Sequence, residues 1–340
     1  MSIITIDFET EAIVGNPVVN PPAPVGVAIW DSSVGEPEYL PIDDSSVRRL
    51  KEYWQTRDLL FHNAQFDLAV AEQHLGLTPP PWHRVHDTLF LVYLKNPHAM
   101  QLGLKPSADE YLDLPPEEQD ELKEWILDNI PKATPRTFGA YICDAPFDLV
   151  SKYAKGDVYR TRLLYDLLME QVPEQAYNRE RQLAPILSGA TCKGVPVNRY
   201  ALEVAHSKAQ AALVQGEDVV RKLLNAPTLN PHSNAELAKA LEEADAVSGW
   251  DYTDKGNKRV AKESLLRHIK DPKVLAHLNY VSTMSTVIGT FIEPWLEHSY
   301  KDGRIHPNWN QVRQPNERKG GSKGTRTGRL SSDDPNFQNV

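Results

Sequence analysis

Near its start the sequence reads Ile3-Ile4-Thr5-Ile6-Asp7-Phe8-Glu9, a mostly apolar stretch in which two acids stand two positions apart. Because side chains alternate between the two faces of a β-strand, this pattern predicts a strand with Asp7 and Glu9 on one face. Neighbouring carboxylates repel each other and lose solvation inside a protein unless a cation lies between them. The stretch therefore favours a site for a hard divalent metal ion, although an isolated Asp-x-Glu triplet is more often a structural pair.

Two further segments carry acids at informative positions. Asn63-Ala64-Gln65-Phe66-Asp67 follows a short apolar strand pattern and begins a helix, which puts Asp67 in a first turn, where the helix dipole favours an anion. Tyr153-Ala154-Lys155-Gly156-Asp157 puts a phenol and a carboxylate one turn apart on one helix face, where they can hold a water molecule. Taken singly, the helix dipole accounts for Asp67, and an amphipathic helix accounts for Tyr153.

The pattern of apolar residues predicts two domains. Strands are predicted at 3–6, 25–30, 39–42 and 59–61, and helices at 64–75, after Asp87, within 104–129 and from 147 to about 171. Further helices are predicted at 183–187, 199–224, 235–244, 261–268 and 274–298, with strand and loop from Lys301 onward. The predicted fold is an α/β domain over residues 1–178, followed by a mostly α-helical domain over residues 179–340.

The composition excludes several classes of protein. Apolar residues make up 41% and charged residues 24% of the 340 residues, which is unlike a disordered or collagen-like chain. No apolar run approaches the roughly 18 to 20 residues that a membrane span needs, and the N-terminus starts on a strand pattern rather than a leader. Two cysteines, Cys143 and Cys192, are too few for a disulfide framework. We expect a soluble protein of a reducing cytoplasm.

The net charge of −9 conceals a basic segment. Residues 301–330 contain eight Lys or Arg residues against Asp302 and Glu317, so this stretch carries a charge of +6 on an otherwise acidic chain. A basic strip on an acidic body is expected where one segment contacts phosphate while carboxylates elsewhere perform chemistry. A solvated basic loop would give the same charge.

In combination, the three acidic segments resemble the DEDD family of 3′–5′ exonucleases, in its tyrosine-containing subclass. The resemblance covers residues 1 to about 175 and keeps the family's order of segments. It implies a ribonuclease H-like (DnaQ-like) domain with a mixed sheet, and two divalent ions, Mg²⁺ or Mn²⁺. One ion would be bound by Asp7, Glu9 and Asp157, and the other by Asp7 and, largely through water, by Asp67. It further implies that Tyr153, with Glu9, orients the attacking water.

The same resemblance assigns two more residues. Asn63, beside the second acidic segment, would help to hold the 3′-terminal nucleotide. Asp87 matches the family's aspartate at a helix start and is expected to be structural. Two cations that clamp the attacking and leaving oxygens of a phosphodiester suit this set of carboxylates.

The second half resembles the family A DNA polymerases, the bacterial DNA polymerase I type that includes phage replicative enzymes. The matching segments are 194–198, 229–233, 303–307, 327–332 and 334–339. They run from the end of the exonuclease domain through the thumb to the edge of the palm. The resemblance implies DNA contacts by Arg326, Arg329, Asn336, Gln338 and Asn339, with Arg329 on the primer side and the last three near the minor groove.

The resemblance also has a departure. In the family, the first catalytic aspartate of the palm follows the segment matched by 334–339, and this sequence stops at Val340. We expect the chain not to synthesise DNA alone. It would be either the first part of a split polymerase, completed by a second chain with palm and fingers, or a shortened piece of one chain.

The leading hypothesis is a metal-dependent proofreading exonuclease of a bacterial or phage-infected cell. Its partners would be a single-stranded 3′ end at the exonuclease site and primer-template DNA at the thumb, with no membrane. One alternative is a non-catalytic subunit that binds primer-template and assembles a split polymerase. A third is an RNA-trimming nuclease of the ribonuclease D type, which has no use for the segment 327–332.

Overall fold

The computed structural model describes residues 3–316 and 321–339, which form two compact units. The first unit contains the chain up to Gly194 together with His306–Asn339, and the second contains Val195–Ile305. No helix of the described residues is long and apolar enough to cross a membrane.

A five-stranded mixed sheet forms the centre of the first unit, with strand order β3-β2-β1-β4-β5. The strands are β1 (Ile3–Thr10), β2 (Pro24–Asp31), β3 (Glu38–Pro41), β4 (Asp58–Phe61) and β5 (Val85–Asp87). Strands β1, β2 and β3 pair antiparallel, whereas β1, β4 and β5 run parallel to one another. The predicted mixed sheet is confirmed, and the four predicted strands correspond to β1, β2, β3 and β4, whereas β5 was not predicted.

The helices of the first unit cover both faces of this sheet. They are α1 (Asp44–Thr56), α2 (Ala64–Leu75), α3 (Thr88–Lys95), α4 (Leu104–Leu112), α5 (Glu117–Asn129), α6 (Phe147–Leu168) and α7 (Glu174–Lys193). Ile4, Ile6 and Phe8 of β1 pack into a core with α1 and α2. The alternate residues of β1 point to the other face, against which α6 packs. One strand thus contributes its apolar residues to the core and its acids to the α6 side.

The second unit is almost entirely helical. Its elements are β6 (Val195–Pro196), α8 (Arg199–Leu223), α9 (Asn234–Glu243), α10 (Lys262–His268), α11 (Pro272–Thr286), α12 (Glu293–His298) and β7 (Arg304–Ile305). Helix α8 packs along α11, with Val220, Leu278 and Val281 buried in their shared core. A π-helical segment, Val287–Ile292, joins α11 to α12, so the predicted helix 274–298 is interrupted.

The division of the chain differs from the predicted one. The predicted boundary at 178/179 falls inside α7, which continues to Lys193 because its apolar side stays buried across that point, with Tyr177 and Leu187 both in the core. The separate helix predicted at 183–187 is part of α7. The assignment of the first region as an exonuclease domain and of the second as a thumb rests on the family resemblances and stays a prediction.

The last part of the chain returns to the first unit. It forms four short strands, β8 (Asn308–Asn310), β9 (Gln314–Asn316), β10 (Gly321–Lys323) and β11 (Ser331–Asp333). Gln311 donates to the backbone oxygen of Glu180 in α7 (2.7 Å), and the buried Arg313 donates to the backbone oxygen of Ala99 (3.1 Å). Residues 306–339 therefore pack with the first unit, and the predicted domain bounds, 1–178 and 179–340, stay predictions.

Candidate functional site

Three carboxylates from distant parts of the chain meet on one face of the sheet. Asp7 and Glu9 come from β1, and Asp157 comes from α6, which crosses that face. One carboxylate oxygen from each of the three lies within 4.8 Å of the other two. The alternation of β1 and the helical spacing of α6 had singled out all three residues from the sequence.

The pKa values of these three acids are raised although the cation Lys105 lies nearby. Burial raises the pKa of Asp7 to about 7, with the charge of Asp157 adding to the effect and the charge of Lys105 opposing it. Burial also raises the pKa of Glu9, and the charge of Asp7 raises it further. Burial raises the pKa of Asp157 as well, while the charge of Lys105 lowers it. The cluster would accept positive charge, because a cation removes the repulsion among its members.

Asp67 lies close to this group, on the first turn of α2. It is buried and accepts a hydrogen bond from the backbone N–H of Phe8 in β1 (3.0 Å). Burial raises its pKa, and the charge of Asp7 raises it further. Since Asp67 holds the segment between Asp7 and Glu9, the second acidic segment is tied to the first.

Tyr153 lies one turn before Asp157 on α6. Burial raises the pKa of its phenol, and the charges of Asp157, Glu9 and Asp7 raise it further. The tyrosine therefore stays protonated and can donate a hydrogen bond next to the carboxylates. The five residues predicted as a catalytic set are brought together in one place.

Asn63 lies at the turn that leads from β4 into α2. Its backbone is left-handed, with φ of 70°, and its side chain is exposed. The carboxylate of Asp87 accepts hydrogen bonds from the N–H groups of Asn63 (2.8 Å), Ala64 (2.9 Å) and Leu89 (2.9 Å). Asp87 thus caps α3 and fixes the turn before α2, in line with its predicted structural role.

Two residues near the carboxylates are not evident in the sequence. The ammonium group of Lys105, near the start of α4, forms an ion pair with Asp157 and lies 4.0 Å from the centroid of the Tyr153 ring. Tyr39 of β3 lies near Glu9 and Asp7. Burial raises the pKa of its phenol, and the charges of these two acids raise it further. The approach is possible because Gly26 of β2 has no side chain, since a Cβ there would overlap the Tyr39 hydroxyl.

No motif identifies Lys105 or Tyr39, because both reach the site through packing between elements. The ion pair spans 52 residues of sequence, and a lysine or tyrosine at an ordinary helix or strand position carries no local signature. Only the glycine at 26, in a strand where glycine is disfavoured, hints at a close approach.

The residues of the cluster suit a hard divalent cation. Among the described residues, neither Oε1 of Glu9 nor Oδ1 of Asp157 has a hydrogen-bond partner, although both atoms are buried. Leaving a buried polar oxygen unpaired is costly, so an absent ligand is the natural explanation. Oxygen donors of this kind fit Mg²⁺ or Mn²⁺. Asp7, Glu9 and Asp157 would hold one ion, and Asp67 lies beside Asp7 for a second.

The predicted DNA-contact residues near the C-terminal end are a separate group. Arg326, Arg329, Asn336 and Gln338 are exposed, whereas the side chain of Asn339 lies outside the described part of the chain, as do Arg318 and Lys319 of the basic strip. The segment is held against α3 by a hydrogen bond from the Tyr93 hydroxyl to the backbone oxygen of Thr325 (3.1 Å). Exposure leaves these side chains available to a ligand, and their predicted roles stay predictions.

Comparison with known proteins relates the chain to polymerases. Residues 199–340 match the family model of DNA polymerase family A. A thermostable DNA polymerase I of Thermus thermophilus is 28% identical over 248 residues, 68% of this chain and 27% of that protein. DNA polymerase DpoZ of Salmonella phage PMBT28 is 26% identical over 339 residues, 93% of this chain and 52% of that protein.

A solved structure has the same fold. The POL domain of Pol1 from M. smegmatis, in complex with a DNA primer-template and dNTP, superposes with a TM-score of 0.71 over 100% of this chain and 52% of that chain. At 18% identity this likeness concerns the fold alone.

These matches show that the chain is homologous to DNA-directed DNA polymerases. The family A model matches less than half of the chain, and the relatives include a bacterial DNA polymerase I and a phage DNA polymerase. The chain spans between 27% and 52% of the length of the two curated relatives described. The family match begins at residue 199, beyond all five predicted catalytic residues, and so points to the polymerase rather than to an exonuclease.

Proposed function

We propose that this chain is the part of a family A DNA polymerase that carries a 3′–5′ proofreading exonuclease. Its first unit would be a ribonuclease H-like exonuclease of the tyrosine-containing DEDD type. The observation that supports this most is the convergence of Asp7, Glu9 and Asp157, with Asp67 and Tyr153 beside them, from three separate segments. A structural ion pair does not require three buried acids, a fourth that is partly exposed (Asp7) and a protonated phenol in one place.

The reaction would be hydrolysis of the last phosphodiester of a DNA strand. An O–H bond of water breaks as its oxygen bonds to phosphorus, and the bond from phosphorus to the 3′ oxygen of the preceding nucleotide breaks. That 3′ oxygen takes up a proton, and a nucleoside 5′-monophosphate is released. Divalent ions held by the carboxylates would stabilise the charge on the phosphate and lower the pKa of the water.

The chain's own residues would position the reactants. The Tyr153 hydroxyl donates a hydrogen bond to the water, and Glu9 accepts one from it, which directs a lone pair at phosphorus. Asn63, exposed at a turn that Asp87 holds rigid, would contact the terminal nucleotide. Such positioning before reaction is a large part of the catalytic effect.

The match of residues 199–340 to family A supports a second role, the binding of primer-template DNA. The helical unit would act as a thumb, and the exposed side chains of Arg326, Arg329, Asn336 and Gln338 would contact the duplex. The second chain with palm and fingers, expected from the sequence, stays a prediction.

The first experiment uses a 5′-labelled single-stranded oligonucleotide with Mg²⁺ or Mn²⁺. The wild-type protein should shorten it from the 3′ end, and EDTA or the double variant Asp7→Ala, Asp157→Ala should abolish the ladder. Asp148→Ala removes an exposed acid from the same helix and should leave trimming unchanged. Trimming that persists in the double variant would exclude this site as its source.

A further inference from the structure

Lys105 is the one lysine whose ammonium group contacts both members of the Tyr153–Asp157 pair among the described residues. It forms an ion pair with Oδ2 of Asp157 and lies 4.0 Å from the centroid of the Tyr153 ring. Its side chain is only 14% exposed. A buried ammonium group is unfavourable unless it is paired, so the acids of the site hold this lysine in place.

The segment that carries Lys105 is anchored to the same site from another direction. His62, next to Asn63 in the turn before α2, hydrogen-bonds to the backbone of Leu102 and to the hydroxyl of Thr88 (2.9 Å). Helix α4 begins at Leu104, two residues further along the chain, and packs on α6. The position of Lys105 is therefore set by the elements that also position Asp67 and Asp157.

The ammonium group and a divalent cation would use the same carboxylate. Oδ2 of Asp157 is engaged by Lys105, whereas Oδ1 of Asp157 and Oε1 of Glu9 are buried without a partner among the described residues. A cation bound by Asp7, Glu9 and Asp157 would lie within a few ångströms of a positive charge, and like charges at that distance repel strongly in a partly buried site. The two cations cannot both have the full attraction of Asp157.

We propose that Lys105 is an internal counter-cation of this site, a positioning residue that holds Asp157 and Tyr153 before the metal binds and gives up Asp157 to the entering ion. The proposal rests on the proposed use of these carboxylates as metal ligands. Lys105 then has two opposite effects: it keeps the metal-free site ordered, and it weakens the binding of the metal. After the exchange, its ammonium group stays over the Tyr153 ring, where a cation–π contact supports the phenol.

The test measures Mn²⁺ binding directly, by electron paramagnetic resonance of free Mn²⁺ at pH 8.5. Lys105→Met keeps most of the side-chain volume and removes the charge. The dissociation constant should fall on the order of tenfold, because one repulsive charge is removed from the site. In EDTA the variant should melt at a lower temperature than the wild type, and saturating Mn²⁺ should remove or reverse that difference.

Two control variants separate charge from structure. Lys105→Arg keeps the charge and should bind Mn²⁺ within about twofold of the wild type. Lys152 is an exposed lysine on the same helix as Asp157, and it forms an ion pair with Glu121. Lys152→Met should change neither measurement. If Lys105→Met does not fold in EDTA, Lys105→Gln is measured in its place, with circular dichroism as the check of folding.

A lower affinity for Mn²⁺ in the folded Lys105→Met variant, or an unchanged one, would overturn the proposal, and so would an absence of Mn²⁺ binding in every variant. Trimming of an oligonucleotide is measured separately with saturating Mn²⁺. The Lys105→Met variant should trim more slowly than the wild type, because Tyr153 loses its contact with the ammonium group. If the wild type binds Mn²⁺ but trims nothing, the exonuclease proposal fails, and the binding comparison still decides the role of Lys105.

Discussion

Asp157 is the residue on which most interactions of the candidate site converge. Its carboxylate lies in one cluster with those of Asp7 and Glu9 and forms the ion pair with Lys105. Asp157 also follows Tyr153 by one helical turn. The acids were predictable because strand and helix periods are properties of consecutive residues. Lys105 was not, since its contact depends on how α4 packs on α6, which no local pattern records.

Tyr153→Phe tests the role assigned to the phenol at this scale. The ring and its contact with Lys105 remain, but the hydroxyl that would orient the water is lost. The trimming rate should fall by about ten- to a hundredfold, while Mn²⁺ affinity stays within about twofold of the wild type. Rates are compared with a 5′-labelled oligonucleotide. Equal rates would show that the hydroxyl takes no part.

At the scale of elements, the site depends on a turn held by one buried carboxylate. Asp87 accepts three backbone hydrogen bonds, and its own N–H donates to the hydroxyl of Tyr177 in α7 (2.9 Å). The N-cap at Asp87, strands β1 to β4 and helices α2 and α6 were predicted from local signals and are confirmed, whereas α1 and β5 were not predicted. The full length of α7 was not predicted, because apolar periodicity does not show where burial against a distant element ends.

Asp87→Ala should destabilise the first unit more than an ordinary capping change does. It leaves three N–H groups without their acceptor, and we expect a loss of about 3 kcal/mol in the free energy of unfolding, measured with urea. Asp43→Ala is the matched control, since Asp43 caps only the exposed start of α1, by accepting from the N–H groups of Ser45 and Ser46. That change should cost less stability, because this cap is exposed to water and holds only one helix end. Equal losses would contradict the bridging role of Asp87.

At the scale of the whole molecule, buried groups of opposite type act on stability in opposite directions with pH. The pKa of Asp7 is raised to about 7 by burial, so the folded protein holds protons that the unfolded chain has released, and stability falls as pH rises from about 4 to about 7. Burial, followed by the charge of Arg181, lowers the pKa of His86 to about 3, so this group costs stability as pH falls below its ordinary value of 6.5.

Asp7→Asn isolates the first of these effects. In EDTA the variant should melt close to the wild type at pH 5 and about 2–4 °C above it at pH 8, because a buried repulsive charge has been removed. His86 contributes equally to both proteins and cancels. With Mn²⁺ at pH 8 the order should reverse, since a metal ligand has been lost. A variant that melts below the wild type in EDTA at pH 8 would contradict the pKa assigned to Asp7.

Strands β1 to β4, helices such as α2 and α6 and the set of acids follow from the period or the capping chemistry of neighbouring residues, whereas the mixed sheet was expected from the family resemblance. Its resemblance to family A polymerases beyond residue 190 agrees with the family match over 199–340. Three features are evident only in the folded protein. Residues 306–339 pack with the first unit, and Lys105 and Tyr39 lie beside the acids. Two carboxylate oxygens are buried without hydrogen-bond partners among the described residues. These features arise between segments far apart in the chain, where energy depends on packing and on the loss of water rather than on local sequence.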